Sequence, residues 1–245
     1  MNDFTLKADT SARYQPFLDI VLKHHQDKLH SVHLVGSVLT QDYDPKTSDI
    51  NSVVVLKKMD LKFLELLAPL GKRFGKKRVA APLIMTPTYI HKSLDVFPIE
   101  FLNMKLFHQT VFGEDIFKDV TIENSNLRNQ CERELKVKLI GLRQGYISAA
   151  GDKNILARGF IESIAGYMPL FKGIIHLLGK DVPRNNGEIL SMLEEVSGVP
   201  MNVFKLVLNH KRQKTKPTID QLHTVFGDYY ATIEKLGEIT DALEV

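Results

Sequence analysis

A chain of 245 residues is long enough for one large domain or two modest ones, and 44% hydrophobic with 25% charged content marks a folded protein. The net charge of +3 accommodates an anionic ligand without requiring one. The lone cysteine, Cys131, excludes an internal disulfide framework and any zinc site built on several cysteines. No apolar run reaches the ~18 residues of a membrane span. The opening MNDFTLKADTSARYQ lacks the basic start and apolar core of a signal peptide, so a cytoplasmic protein is expected.

Residues 10–30 place Phe17, Leu18, Val21, Leu22 and Leu29 on roughly one helical face, with Thr10 or Ser11 as the cap. SVHLVG (31–36) reads as a short strand ending in glycine, and the valine-rich INSVVVL (50–56) as a second. MDLKFLELLAPLGKRF predicts a helix started by Asp60 and ended by Pro69 and Gly71. RVAAPLIMTP (78–87) reads as a third strand, TPTYIHKSL as a short helix opened by Thr86-Pro87, and FPIEFLNM (97–104) as a fourth strand.

From about Glu123 the apolar period becomes 3.6. NSNLRNQCERELKVKLIGLRQGYISAA predicts one long amphipathic helix. NILARGFIESIAGYMPLFKGIIHLLG predicts a more apolar one, kinked or interrupted near Pro169. Shorter helices follow at 186–197 and 202–211, and TIDQLHTVFGDYYATIEKLGEITDAL closes the chain. The expected fold is α+β: a mixed sheet flanked by helices over residues 1–120, then an all-α domain over 121–245.

The stretch HLVGSVLTQDYDPKTSDINSVVVL carries the chemistry. Gly36 lets the backbone approach a ligand closely, and the Ser37 hydroxyl with nearby N–H groups can bind phosphate oxygens. Twelve positions after Ser37 comes Asp49, preceded by Ser48, at the mouth of the second predicted strand. Residues two apart on a strand share a face, so Asp49 and Asn51 are expected to face the Gly-Ser turn together. Glu100, between Ile99 and Phe101 in PIEF, is a carboxylate in an apolar setting and needs a partner or a metal.

LVGSVLTQDYDPKTSDIN resembles the hallmark of the DNA polymerase β-like nucleotidyltransferase superfamily. That hallmark is an apolar residue, Gly, Gly or Ser, then Asp-x-Asp about a dozen residues on, with a third acid on a later strand. The helical half resembles that of the aminoglycoside nucleotidyltransferases. The resemblance implies that Gly36, Ser37 and Ser48 hold the phosphates of a nucleoside triphosphate, ATP foremost. It implies that Asp49, position 51 and Glu100 hold two Mg²⁺ or Mn²⁺ ions for attack on the α-phosphorus by a hydroxylated small-molecule or protein acceptor. Asn51 departs from the pattern: its amide can coordinate one cation but adds no charge. Two readings stay open: a magnesium-dependent nucleotidyltransferase, and a weakened or inactive nucleotide-binding or interaction module.

Asp42 and Asp44 read as a solvated acidic turn around Pro45, and Asp95 as an element end, rather than as substitute ligands. Five basic residues among the eight of GKRFGKKR (71–78), and again HKRQKTK (210–216), permit a nucleic-acid partner, but a basic loop after a helix C-terminus is the preferred reading. His24, His25, His33, His91 and His108 show no ligand spacing and read as solvated or capping residues. Glu132 or Glu134 could act as a base for an acceptor hydroxyl. Phe226, Tyr229 and Tyr230 read as packing. No Arg in the helical half precedes a His at ribonuclease-motif spacing. The sequence is compatible with a homodimer, and no membrane partner is expected.

Overall fold

The computed structural model describes residues 8–213 and 217–245; the MNDFTLK start and residues 214–216 of the second basic cluster lie outside the described residues. The chain forms two compact units. The first holds the described residues up to Leu94 together with Phe101–Thr121, and the second holds Asp95–Glu100 and Ile122–Val245.

The first unit is built on a four-stranded sheet of β1 (Leu29–Val35), β2 (Asn51–Leu56), β3 (Leu83–Met85) and β4 (His108–Gly113). The order is β3-β2-β1-β4; β1 runs antiparallel to both β2 and β4, and β2 parallel to β3. Helix α1 (Ala8–His25) covers one face. Its Tyr14, Phe17 and Val21 recur at helical spacing and join Val32 and Leu34 of β1 and Val54 and Leu56 of β2 in a single buried core. Thr10 and Ser11 lie inside α1 rather than capping it, and Thr10 is buried.

MDLKFLELLAPLGKRF gives two short helices instead of one. Asp60 caps α2 (Leu61–Leu67) by accepting the Lys62 N–H at 3.0 Å. Pro69 then opens α3 (Leu70–Gly75), because proline suits the start of a helix as well as its end. Phe63 and Phe74 carry these helices into the α1 core, with Phe17 and Phe74 meeting edge to face at 5.4 Å. Thr86 and Pro87 open helix α4 (Pro87–His91) as expected, the Thr86 hydroxyl accepting the Tyr89 N–H.

FPIEFLNM is not a strand. It forms helix α5 (Pro98–Leu106), and the boundary between the two units falls within it, after Glu100. Pro98, Ile99, Phe101, Leu102 and Met104 are buried while Glu100 and Lys105 are exposed, a helical rather than alternating pattern. The fourth strand is HQTVFG instead, paired to β1 with Val35 opposite His108.

The second unit is helical. Helix α6 (Asn124–Ser148) is the expected long amphipathic element. Helix α7 (Lys153–Leu177) continues through Pro169 without interruption. It packs against α6 and against α8 (Asn186–Ser197), α9 (Asn202–Gln213) and α10 (Ile219–Asp241), which is why its sequence is the most apolar. Tyr167, Phe171, Phe204 and Tyr229 form its aromatic centre. The architecture is therefore α+β, a mixed sheet with flanking helices followed by a helical region. Among the described residues no helix is long and apolar enough to cross a membrane.

Candidate functional site

Strand β1 ends at Val35, and Gly36–Leu39 follow at once as a 3-10 turn. Gly36 has φ +82°, the left-handed region that an L side chain enters only at a cost, so glycine is the residue this turn calls for. Its N–H donates to the Phe107 carbonyl at 3.3 Å, which ties the turn to the residue before β4. Gly36 and Ser37 are both exposed. The Ser37 carbonyl accepts the Thr40 N–H and the Thr40 hydroxyl, each at 2.9 Å, closing the turn.

Across the sheet Val35 is paired with Asn51, the first residue of β2. A side chain grown on Gly36 would begin 3.8 Å from Asn51 Nδ2, so the amide of Asn51 borders the turn. Asp49 precedes β2, is exposed, and has its own partner: Arg78 Nη1 lies 3.4 Å from Asp49 Oδ1. The same nitrogen donates to the Thr47 carbonyl at 3.0 Å. Backbone bonds from Ile50 N–H to the Arg78 carbonyl (2.7 Å) and from Ala80 N–H to the Ile50 carbonyl (3.0 Å) hold Arg78 alongside the motif.

The intervening loop is organised by its own acids. The Asp44 carboxylate accepts the Lys46 N–H at 2.9 Å and the Thr47 hydroxyl at 2.8 Å, bonds that hold its carboxyl below the usual carboxylate range. Ser48 is committed to this loop: its hydroxyl accepts the Asp44 N–H at 3.3 Å and its own N–H donates to the Asp44 carbonyl at 2.8 Å. Arg13 on α1 then fastens the loop to the basic segment, donating to Tyr43 Oη, the Pro45 carbonyl and the Lys77 carbonyl. Gly36, Ser37, Asp49 and Asn51 are thus brought to one end of the sheet.

Glu100 is placed differently from expectation. It stands on α5 in the second unit, not on a strand beside β2, and its carboxylate accepts Gln130 Nε2 at 2.9 Å. Gln130 Oε1 in turn accepts the Ile99 N–H at 2.7 Å, so Glu100 belongs to a clamp between α5 and α6. Among the described residues neither of the strands after β2 carries an acid: β3 is Leu-Ile-Met and β4 His-Gln-Thr-Val-Phe-Gly. The segment leading into β3 offers Ala80, Ala81 and Pro82. Asp95 lies exposed in the turn ahead of α5.

Asp49 and Asn51 by themselves do not make a site for a pair of magnesium ions. Two-metal centres need several charged oxygens converging on both ions. Asp49 supplies one charge already faced by a guanidinium, and Asn51 supplies none. Sequence reasoning missed Arg78, which it left among the charges of a basic loop. No local signal marks it, because only the bridge between Ile50 and Val79 brings that loop to the motif.

No protein-family model matches the sequence, and no curated protein matches it. Solved structures do. One is a spectinomycin adenyltransferase from Enterococcus faecialis, solved with ATP and spectinomycin; the match covers 91% of this chain and 99% of that one, with a TM-score of 0.54 at 13% identity. The fold is nucleotidyltransferase-like.

Proposed function

We propose that this protein binds a nucleoside triphosphate, ATP foremost, at the Gly36-Ser37 turn and transfers its nucleotidyl group weakly or not at all. The observation that carries this reading is the pairing of Arg78 with Asp49 at 3.4 Å beside a neutral Asn51. A guanidinium faces the carboxylate to which the resemblance assigns metal. It brings positive charge to the phosphates without the bridging geometry that in-line transfer requires.

Fold-level likeness to an ATP-using enzyme supports the nucleotide and a small hydroxylated acceptor as its ligand class. The second reading, a working nucleotidyltransferase acting on such an acceptor, rests on that likeness. Calorimetric titration with ATP, in magnesium and in EDTA, separates them across wild type, Asp49→Ala and Arg78→Ala. Nucleotide binding without turnover requires affinity that survives EDTA, stays within about threefold in Asp49→Ala, and falls about tenfold in Arg78→Ala, the loss of one charge-assisted contact. Magnesium-dependent binding abolished by Asp49→Ala, with pyrophosphate released from ATP, establishes the enzyme instead.

A further inference from the structure

The sheet face that carries Asn51 also carries a group of histidines for which the nucleotide reading has no use. Val35 is paired with Asn51 on one side and His108 on the other, and His33 lies two residues back along β1, so all four point the same way. Asp115, just beyond β4, returns to the pair. A ring nitrogen of His33, a ring nitrogen of His108 and a carboxylate oxygen of Asp115 lie within 4.8 Å of one another, the one group of this kind among the described residues.

The hydrogen bonds of His108 show what is needed there. Its Nδ1 faces the Met104 carbonyl at 2.8 Å and the Lys105 carbonyl at 3.2 Å. Carbonyls only accept, so Nδ1 carries the hydrogen. In the neutral ring Nε2 then presents a lone pair, and it stands 2.7 Å from Asp115 Oδ1, another acceptor when ionised. Two lone pairs at that separation repel, so a cation belongs between them. A proton satisfies two atoms; a metal ion collects three or four.

His33 is the third donor. The ring is buried, with Thr110 Oγ1 2.9 Å from Nδ1 and Ser31 Oγ 2.8 Å from Nε2. Hydroxyls donate or accept, so either nitrogen can turn a lone pair to a metal while the other keeps a partner that fixes the tautomer. That is the arrangement around metal-bound histidines, and the Met104 carbonyl gives it to His108 as well. Phe117 packs against both rings, at 4.8 and 5.4 Å between centroids, and keeps the inner side apolar.

We propose that His33, His108 and Asp115 bind a divalent transition-metal ion, zinc foremost, with the fourth position open to water on the Asp115 side. Two imidazoles and one carboxylate suit zinc and its neighbours and not magnesium. Binding draws the donors to about 3.3 Å apart, the edge of a tetrahedron with bonds near 2 Å. The Asp115 side chain, 40% exposed, has the freedom to make that adjustment. The ion would join β1 to β4 one residue from Phe107, whose carbonyl holds the Gly36 N–H.

The test is calorimetric titration of the metal-free full chain with zinc chloride at neutral pH, repeated with Co²⁺ followed by its visible absorption. One zinc per chain is expected, with tetrahedral Co²⁺ bands and at least about tenfold weaker binding in Asp115→Asn and in His108→Gln. Asp115→Asn keeps the test sound if a histidine variant fails to fold. No saturable zinc binding by wild type would mean that a proton alone bridges His108 and Asp115, and equal affinity in both variants would put the ion elsewhere; either overturns the site. The readout is independent of nucleotide, so its failure leaves the nucleotide reading untouched.

Discussion

Arg78 Nη1 stands 3.4 Å from Asp49 Oδ1 and 3.0 Å from the Thr47 carbonyl, so one guanidinium holds both the acid of the motif and the loop before it. Its backbone sits at φ +56°, which costs a non-glycine residue about 1–2 kcal/mol. The two side chains are 43% and 55% exposed, and such a pair contributes about 0–1 kcal/mol. Arg78→Gly should therefore unfold at or slightly above the wild-type temperature while ATP affinity falls about tenfold. A variant that loses both stability and binding would mean that the arginine mainly holds the loop.

Gly36 and Gly113 both have positive φ, yet alanine should affect them unequally. At Gly36 the new Cβ meets only Asn51 Nδ2 at 3.8 Å, leaving backbone strain of about 1–2 kcal/mol. At Gly113 it would come within 2.1 Å of the His30 carbonyl oxygen, in the bulged pairing with β1. Strain and overpacking together predict a loss of about 3–5 kcal/mol. Urea denaturation ranks the two, and Gly36→Ala should weaken ATP binding while remaining folded. Equal destabilisation would show that the turn at Gly36 is as crowded as the bulge.

Asn51→Asp restores the Asp-x-Asp pattern, but the pattern alone should not restore chemistry. Strands β3 and β4 contribute no acid, and Glu100 on α5 is held by Gln130 of α6. The variant should fold with a change below about 1 kcal/mol, since the position is exposed. Pyrophosphate release from ATP should stay at the wild-type level. A rise of tenfold or more would reveal a carboxylate that completes the site from outside the sheet.

The sequence made the helical half legible because its elements are long: a 3.6 period sustained over α6, α7 and α10 leaves little room for another reading. The Gly36-Ser37 turn and the start of β2 were legible for a different reason, a glycine and a polar run set between two valine-rich segments. FPIEFLNM failed because a nine-residue apolar helix with proline at its start resembles a strand until its buried positions are known. Arg78 and the His33–His108–Asp115 group were illegible because each is assembled by strand pairing: the bridge from Ile50 to Val79 in one case, the register of β1 on β4 in the other. No spacing along the chain encodes either.

Tyr229 gives the helical unit a pH-dependent signature. The ring is fully buried, 4.2 Å from Phe204 between centroids, and its hydroxyl lies 3.1 Å from Ser163 Oγ. Ser163 also donates to the Phe160 carbonyl at 2.9 Å, so Tyr229→Phe leaves no orphaned donor and should cost about 1 kcal/mol at neutral pH. Burial raises the ionisation of Tyr229 far above that of a free tyrosine, and does the same to Tyr167. The unfolded chain gives up these protons near pH 10 while the folded chain keeps them. Stability from each phenol is thus fully present below about pH 10 and falls by about 1.4 kcal/mol per pH unit above it. Urea midpoints at about pH 8 and about pH 11 should show wild type ahead of Tyr229→Phe at the lower value and level with it, or behind, at the higher. A gap that stays constant across the two would mean that base reaches the phenol in the native state.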